Sequence, residues 1–349
     1  MSSTNGYAAL EAGKALEPFR FERRAIGPND VHITISHCGI CHSDIHQARD
    51  EWGGSIFPMV PGHEIVGTVL AIGTDVKSFH PGETVGVGCL VDSCQTCHSC
   101  QRGLEQYCQD GLVFTYNSRD KAGEPTYGGY STHIVVDQRF VFHIPTSLTA
   151  AGAAPLLCAG ITTYSPLKHW NVGHGHKLGV LGLGGLGHMA VQLGNALGAE
   201  VTVLSRSSSK QPDAARLGAK DFALVNGQAS NASLAGRFDF IIDTVSAPHD
   251  YTSCLEMLKT DGTLILVGAP EQPTPLGAFP LVMRRRRMVG SLIGGIPETQ
   301  EMLDFCAENR IESEVEIIPI QGVNEAYERI MRGDVRFRFV IDMSSLGRE

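Results

Sequence analysis

Apolar and polar residues alternate through DVHITISHCGI. Val31, Ile33 and Ile35 fall on one side and His32, Thr34 and Ser36 on the other, the period-two pattern of a half-buried strand. EIVGTVLAIG and GETVGVGCLV continue with strand-like runs broken by glycine, and residues 130–145 read the same way, so the first part of the chain is predicted to be mostly β. Near residue 150 the pattern changes. KLGVLGLGGLGHMAVQLGNALGAEVTVLSRS predicts a strand, a glycine turn, a helix of small and apolar residues and a second strand. FDFIIDTV, GTLILVGA and MVGSLIGG (288–295) are continuous apolar runs, as expected of parallel strands covered on both faces. ETQEMLDFCAENR and NEAYERIMRG predict surface helices, and VRFRFVID a last strand. The chain shows no internal repeat and no low-complexity linker.

Length and charge narrow the functional classes. The 349 residues, 42% of them hydrophobic, can bury the cores of about two domains. A net charge of −9 argues against a nucleic-acid footprint, which needs a basic face. The N-terminus has no cationic start followed by an apolar segment, and no apolar run approaches the roughly 20 residues of a membrane span. These features predict a soluble, cytoplasmic protein with no membrane partner. Thiols stay reduced there, so the ten cysteines are expected to be metal ligands or buried apolar groups. The arginine run 284–287, a localisation signal or anion site in other settings, is expected to be a solvated segment beside a strand.

Cys94, Cys97, Cys100 and Cys108 follow the spacing C-x2-C-x2-C-x7-C. Thiolates two residues apart can turn both sulfurs to one small cation, and four of them close a tetrahedral zinc shell. A ferredoxin-type cluster would continue with C-x3-C-P, and here the fourth cysteine comes seven residues on and precedes Gln109. The alternative is a set of unligated or oxidised cysteines. A closed shell has no vacant position and does no chemistry, so the work is expected elsewhere; His98, inside the loop, is a surplus ligand and is expected to be solvated.

Gly182, Leu183, Gly184, Gly185, Leu186 and Gly187 form a G-x-G-x-x-G turn between a predicted strand and a predicted helix, the context that distinguishes a dinucleotide site from a plain glycine turn. The glycines allow the tight turn and close approach of a pyrophosphate, which would lie at the helix N-terminus. An NAD site carries an acid at the end of the next strand, to hold the ribose 2′-hydroxyl. EVTVL runs instead into Ser205, Arg206, Ser207, Ser208, Ser209 and Lys210. Hydroxyls and two cations suit a 2′-phosphate, so NADP(H) is the expected cofactor. Cys41 in CGICHSDIH, His63 in PGHE and Cys158 in LLCAGITTY would together make a Cys2His zinc site with an open fourth position. Packed core residues are the alternative reading of each one alone.

The segments Cys41-His42-Ser43-Asp44, Gly62-His63-Glu64, the four-cysteine loop, CAGITTYSPL and GLGGLGHM occur in an order that closely resembles zinc-dependent medium-chain alcohol dehydrogenases. The similar subgroup is the cinnamyl-alcohol-dehydrogenase-like one, with its bacterial NADPH-dependent aldehyde reductases. The resemblance covers nearly the whole chain. It implies an α/β protein in which a GroES-like β-rich catalytic domain, residues 1–157 and 296–349, holds an inserted Rossmann doubly wound parallel sheet, residues 158–295. It implies two zinc ions per chain, a homodimer joined through Rossmann sheet edges at MVGSLIGG, and hydride transfer between NADP(H) and primary alcohols or aldehydes. Ser43 and His46 match the proton relay, and Glu64 a carboxylate beside the catalytic zinc that can exchange onto it; a salt-bridge partner is the other reading of Glu64. Thr162, Thr244, Gly268, Ser291, Leu292 and Ile293 match nicotinamide and ribose contacts, as Ser43 does. Arg206 interrupts the consecutive serines of plant relatives, and Leu292 replaces a Phe common there, against a phenylpropenyl preference. Trp52, Leu112 and Phe114 are candidate walls for an aromatic or medium-chain aldehyde, or else core. Rival readings are an NAD-dependent polyol dehydrogenase, which would want an acid in place of Ser205, and a non-catalytic zinc-stabilised binding protein, which would lack part of the Cys41, His63 and Cys158 set.

Overall fold

The computed structural model describes residues 2–225, 232–268, 270 and 273–347. The chain forms two compact units, Met1–Ile161 with Gly294–Glu349, and Thr162–Ile293. The first unit begins with strands β1 (Ser2–Ala8), β2 (Glu17–Arg23), β3 (Asp30–Gly39), β4 (Ile65–Ile72), β5 (Thr84–Val87), β6 (Leu90–Asp92), β7 (Val113–Phe114), β8 (His133–Asp137) and β9 (Phe142–His143). The second unit holds β10 (Lys177–Leu181), β11 (Glu200–Ser205), β12 (Asp221–Leu224), β13 (Phe238–Asp243), β14 (Leu258–Leu266) and β15 (Arg287–Gly290). The chain then returns to the first unit with β16 (Val315–Pro319) and β17 (Arg338–Asp342).

The first unit is built on a sheet of order β16-β17-β3-β4-β5-β9, with β8 also paired to β3. The alternation of β3 explains its central place: Val31, Ile33 and Ile35 are buried and Thr34 is exposed. His32 departs from its expected polar face. It is buried because β8 lies alongside and His133 packs edge-on against it, with ring centroids 5.2 Å apart. The register of the C-terminal strand matters for the site: Val340 faces Gly39 and Ile341 faces Cys38, while on the other flank of β3 Ile65 of β4 also faces Cys38. The ends of β17 and β4 therefore flank the last residue of β3. The helix Val323–Met331 buries Val323, Ala326, Tyr327 and Ile330, the spacing of a single helical face.

The second unit is an all-parallel sheet of order β12-β11-β10-β13-β14-β15. This is the expected Rossmann order, which reverses between β10 and β13 and opens a crevice outside their C-terminal ends. Its strands read as apolar runs because both faces are covered; Leu204, Phe238, Ile241, Leu255 and Leu264 share one core. GETVGVGCLV divides after Val87 into two strands, β5 and β6, that belong to different sheets. One expectation needs correction. MVGSLIGG is strand only to Gly290: Ile293 has φ of 36°, which a β-branched residue in a strand cannot adopt, and Leu292 is 46% exposed. Ala269, the last residue of GTLILVGA, lies outside the described residues.

Ile33 is fully buried where β3 meets both β4 and β8. Ile33→Ala is expected to cost about 2–5 kcal/mol by the transfer and cavity terms together, read as a lower denaturation midpoint with an unchanged slope.

Candidate active site and metal centres

The end of β3 delivers the first ligand. Cys41 is the N-cap of the helix His42–Ala48, where Asp44 reaches back to the cap backbone. Asp44 is fully buried, and four donors converge on it. Its Oδ2 accepts from Cys41 N at 2.7 Å and from Tyr130 Oη at 3.3 Å. Its Oδ1 accepts from Gly62 N at 3.1 Å and lies 3.2 Å from His63 Nδ1. A carboxylate on Nδ1 fixes that nitrogen as the donor and leaves Nε2 with its lone pair for a metal. Burial pulls the His63 pKa down, but Asp44 together with Cys89 and Cys41 holds it well above the usual value. Cys158 follows the 3₁₀ turn Ala154–Leu157 in the same unit.

The structure brings Cys41, His63, Glu64 and Cys158 together: all four are buried, and their ligand atoms lie within 4.8 Å of one another. Two sulfurs, an imidazole nitrogen and a carboxylate oxygen suit zinc. Glu64 Oε2 is buried with no hydrogen-bond partner, and a cation among these donors would satisfy it. The Cys158 thiol, donating to Cys41, holds the Cys41 pKa well below the thiol range, with Arg338 and His63 adding positive charge. Burial pushes the Glu64 carboxyl up to about 7 against the pull of Arg338.

Arg338 is the functional residue that sequence reasoning missed. Its Nη2 pairs with Glu64 Oε1, both side chains almost wholly buried. A Cβ on Gly39 would stand 1.9 Å from Glu64 Oε2, so only glycine there leaves room for this carboxylate. The one available signal was an arginine placed between two phenylalanines in the inward register of VRFRFVID. Cys89, also unassigned from sequence, lies in hydrogen-bond contact with Cys158.

Ser43 sits at the mouth of the cluster, with its Oγ 3.7 Å from Cys41 Sγ. His46, one helical turn on, is buried and stacks on Trp52 with centroids 4.8 Å apart. Its Nδ1 is bonded to Glu51, a second residue the sequence reading missed. Trp52 is 46% and Phe114 40% exposed, so neither is core, and Leu112 is half-buried.

The four-cysteine loop closes on itself. Cys94 and Cys97 sulfurs lie 3.8 and 3.5 Å from that of Cys100, and Cys94 N donates to Cys108 Sγ at 3.3 Å. Zn–S bonds of about 2.3 Å at tetrahedral angles put sulfurs about 3.8 Å apart, so the donors fit zinc. Donation from the Cys97 and Thr96 backbone lowers the Cys94 pKa to about 6, which favours the thiolate a metal needs. His98 is exposed. Glu105, just past the third cysteine, accepts from Ile296 N at 2.9 Å and ties the loop to the helix Ile296–Asn309.

In the second unit the glycine turn stands at the start of the helix Gly187–Ala196. A Cβ on Gly187 would lie 2.2 Å from Gly182 O, whereas one on Gly184 would meet nothing within 4 Å, leaving room where a pyrophosphate would approach. A cavity of about 380 Å³ brings Gly182 and Leu183 together with Ser205, Arg206, Ser207 and Lys210; Ser208 and Ser209 are exposed and do not line it. Thr244, Gly268 and Ser291 follow the C-terminal ends of β13, β14 and β15, and Thr244 Oγ1 donates to Leu181 O at 2.8 Å. Thr162 is buried on the helix Ala159–His169.

Comparison with known proteins agrees with this geometry. An alcohol dehydrogenase GroES-like domain matches residues 27–146, and a zinc-binding dehydrogenase domain matches 185–308. The chain is 58% identical over 343 residues to a probable formaldehyde dehydrogenase of Bacillus subtilis, covering 98% of each chain. It is 54% identical to an NADP-dependent alcohol dehydrogenase of Mycolicibacterium smegmatis, covering 99% of each. A cinnamyl alcohol dehydrogenase structure from Sorghum bicolor superimposes with a TM-score of 0.96 at 45% identity, covering 100% of this chain and 99% of that one.

Replacing Cys100 with Ser is expected to remove one zinc per chain by elemental analysis and to lower the melting temperature, because structural metal binding contributes to folding free energy. Full zinc content with wild-type melting would show that the four thiols are not a metal shell.

Proposed function

We infer the function from one premise: the chain belongs to the zinc-binding dehydrogenases with an alcohol dehydrogenase GroES-like domain. It interconverts primary alcohols and aldehydes, aromatic or medium-chain, by hydride exchange with NADP(H). The observation that carries this reading is the convergence of Cys41, His63, Cys158 and the unpartnered Glu64 oxygen on one buried point. Cys41, His63 and Cys158 would hold a zinc ion, which when bound would supply Lewis-acid chemistry beside a hydride-exchanging nicotinamide.

The remaining work falls to side chains. Ser43 holds the proton nearest the substrate oxygen. His46, its Nδ1 bonded to Glu51, passes it outward. Glu64, paired with Arg338, would stand beside a bound metal and offer it a carboxylate oxygen. Trp52 and Phe114, exposed on the same unit, offer apolar surface to the substrate. In the second unit Gly182–Gly187 leave space for the pyrophosphate. Ser205, Arg206, Ser207 and Lys210 bind the 2′-phosphate by hydroxyl and charge-assisted contacts, where a carboxylate would repel it.

The working form we propose is a cytoplasmic homodimer. Reduced thiols in two metal sets require a reducing compartment. Phe279, Val282 and Met283 are 76%, 69% and 72% exposed, and among the described residues β15 pairs only with β14, which leaves an edge that a second copy can extend. Replacing Phe279 and Met283 together with Asp is expected to halve the mass measured by light scattering. A wild-type protein that already runs as a monomer would refute the dimer.

The chemistry is tested by Cys158→Ala, expected to abolish turnover and remove one zinc while the four-cysteine zinc stays. His46→Gln is expected to lose about 10²–10⁴-fold, the usual contribution of a general acid–base group. NADPH is expected to exceed NADH by well over tenfold in kcat/KM, since charge-assisted contacts contribute roughly 1.5–3 kcal/mol each, and Ser205→Asp to erode that ratio. Normal turnover by Cys158→Ala would overturn the zinc mechanism, and equal use of both cofactors would overturn the NADP(H) assignment.

A further inference from the structure

The cavity beyond the β10–β13 crossover has a second wall, after β13, that carries its own charge. His249 lines it. The ring is fixed by two acceptors: Nε2 lies 2.7 Å from Asp243 Oδ2 and Nδ1 lies 2.9 Å from Ala247 O. A carboxylate and a carbonyl can only accept, so both ring nitrogens carry protons and the side chain is an imidazolium. Asp243 is fully buried, and its other oxygen accepts from Val245 N at 3.0 Å, which prevents the carboxylate from turning away. Contact with Asp243, then with the Cys254 thiol, holds the His249 pKa up at about 10 against partial burial.

The charges around the cavity then decide its sign. Arg206 and Lys210 line it on the serine-loop side. Asp250 lines the opposite wall, held by Thr252 N and Ser253 Oγ, and Asp243 stands directly behind His249. Two cations and two anions cancel. His249 is the fifth charge, and it leaves the pocket net positive. Because both of its N–H groups are already engaged, it can act on a ligand through its charge and not by donating a hydrogen bond.

We propose that His249 is a cofactor-specificity residue whose fixed positive charge tips the adenosine end of this cavity toward a 2′-phosphorylated adenosine and away from an unphosphorylated one. This rests on the NADP(H) assignment above. The residue complements the 205–210 loop: the loop supplies the contacts, and His249 offsets the two carboxylates that would otherwise weaken them.

The test is calorimetric binding of adenosine 2′,5′-bisphosphate and of 5′-AMP to the wild type, His249→Gln and the double variant His249→Gln/Asp243→Asn. The wild type is expected to prefer the bisphosphate. His249→Gln is expected to bind it about tenfold more weakly while 5′-AMP changes no more than about twofold, one lost charge acting on the extra phosphate. The double variant removes the opposing carboxylate with the imidazolium, restores the net charge of the pocket and is expected to regain most of the preference. Unchanged preference in His249→Gln, or an equal loss for both ligands, would overturn the proposal and leave the NADP(H) assignment standing. A wild type that does not distinguish the ligands would overturn both. Should His249→Gln not fold, the double variant decides alone, since a folded double variant without the preference also refutes the charge argument.

Discussion

Three acidic ligands buried at one point set the terms for the first unit. Cys41, Cys158 and Glu64 all lie out of water at the end of β3. Ionised together they place three negative charges where each unpaired one costs several kcal/mol. Arg338 offsets one and a divalent cation the other two. That balance explains why a strand from the far end of the sequence must pair with β3: the arginine has to arrive from the flank opposite Glu64, and β17 is the strand that carries it there. It explains Gly39 as well, since a Cβ at that position would occupy the space of the Glu64 carboxylate. The return of residues 294–349 to the first unit is thus an electrostatic requirement of the site as much as a matter of packing.

Asp44 does for orientation what Arg338 does for charge. Through four donors it ties the helix that presents Cys41, the turn that presents His63 and the buried Tyr130 to one carboxylate. A donor set fixed in this way would lose little freedom on binding a metal. The four-cysteine loop reaches the opposite end by local means. Its sulfurs are already at about the separation a tetrahedral shell requires, so it closes fully, and its bond to the helix Ile296–Asn309 gives the closed shell a structural task.

What could be read in the sequence follows from how far apart the partners are. The cysteine spacing and the glycine turn are local, and the apolar runs of the parallel sheet declare themselves because both faces are covered. Arg338 escaped because its meaning depends on Glu64, 274 positions away, and an arginine in a terminal strand looks like solvent-facing charge. Glu51 escaped because its link to His46 depends on a turn after the helix His42–Ala48 that no pattern announces. MVGSLIGG was over-read because composition shows apolar character and not backbone angle; Ile293 leaves the strand region although its side chain favours it. Alternation alone makes His32 a surface residue, since it cannot show that His133 of the neighbouring strand β8 packs against its ring.

The same limit of locality applies to the cofactor pocket, with a different outcome. The motif names the turn, and the strand after it names the 2′-phosphate side, but a pocket has two walls. The wall after β13 is contributed by residues that match no phosphate motif, and its net charge comes from an imidazolium locked between a carboxylate and a carbonyl. A carboxylate so close to an anion site would be a liability if it stood alone. Paired with His249 it becomes the device that keeps a histidine charged at neutral pH, so one buried acid at the end of β13 converts a titratable side chain into a permanent cation. On the proposed reading, cofactor choice in this chain follows the sum of charges across the crevice, and a serine in place of an acid after β11 is only one contribution.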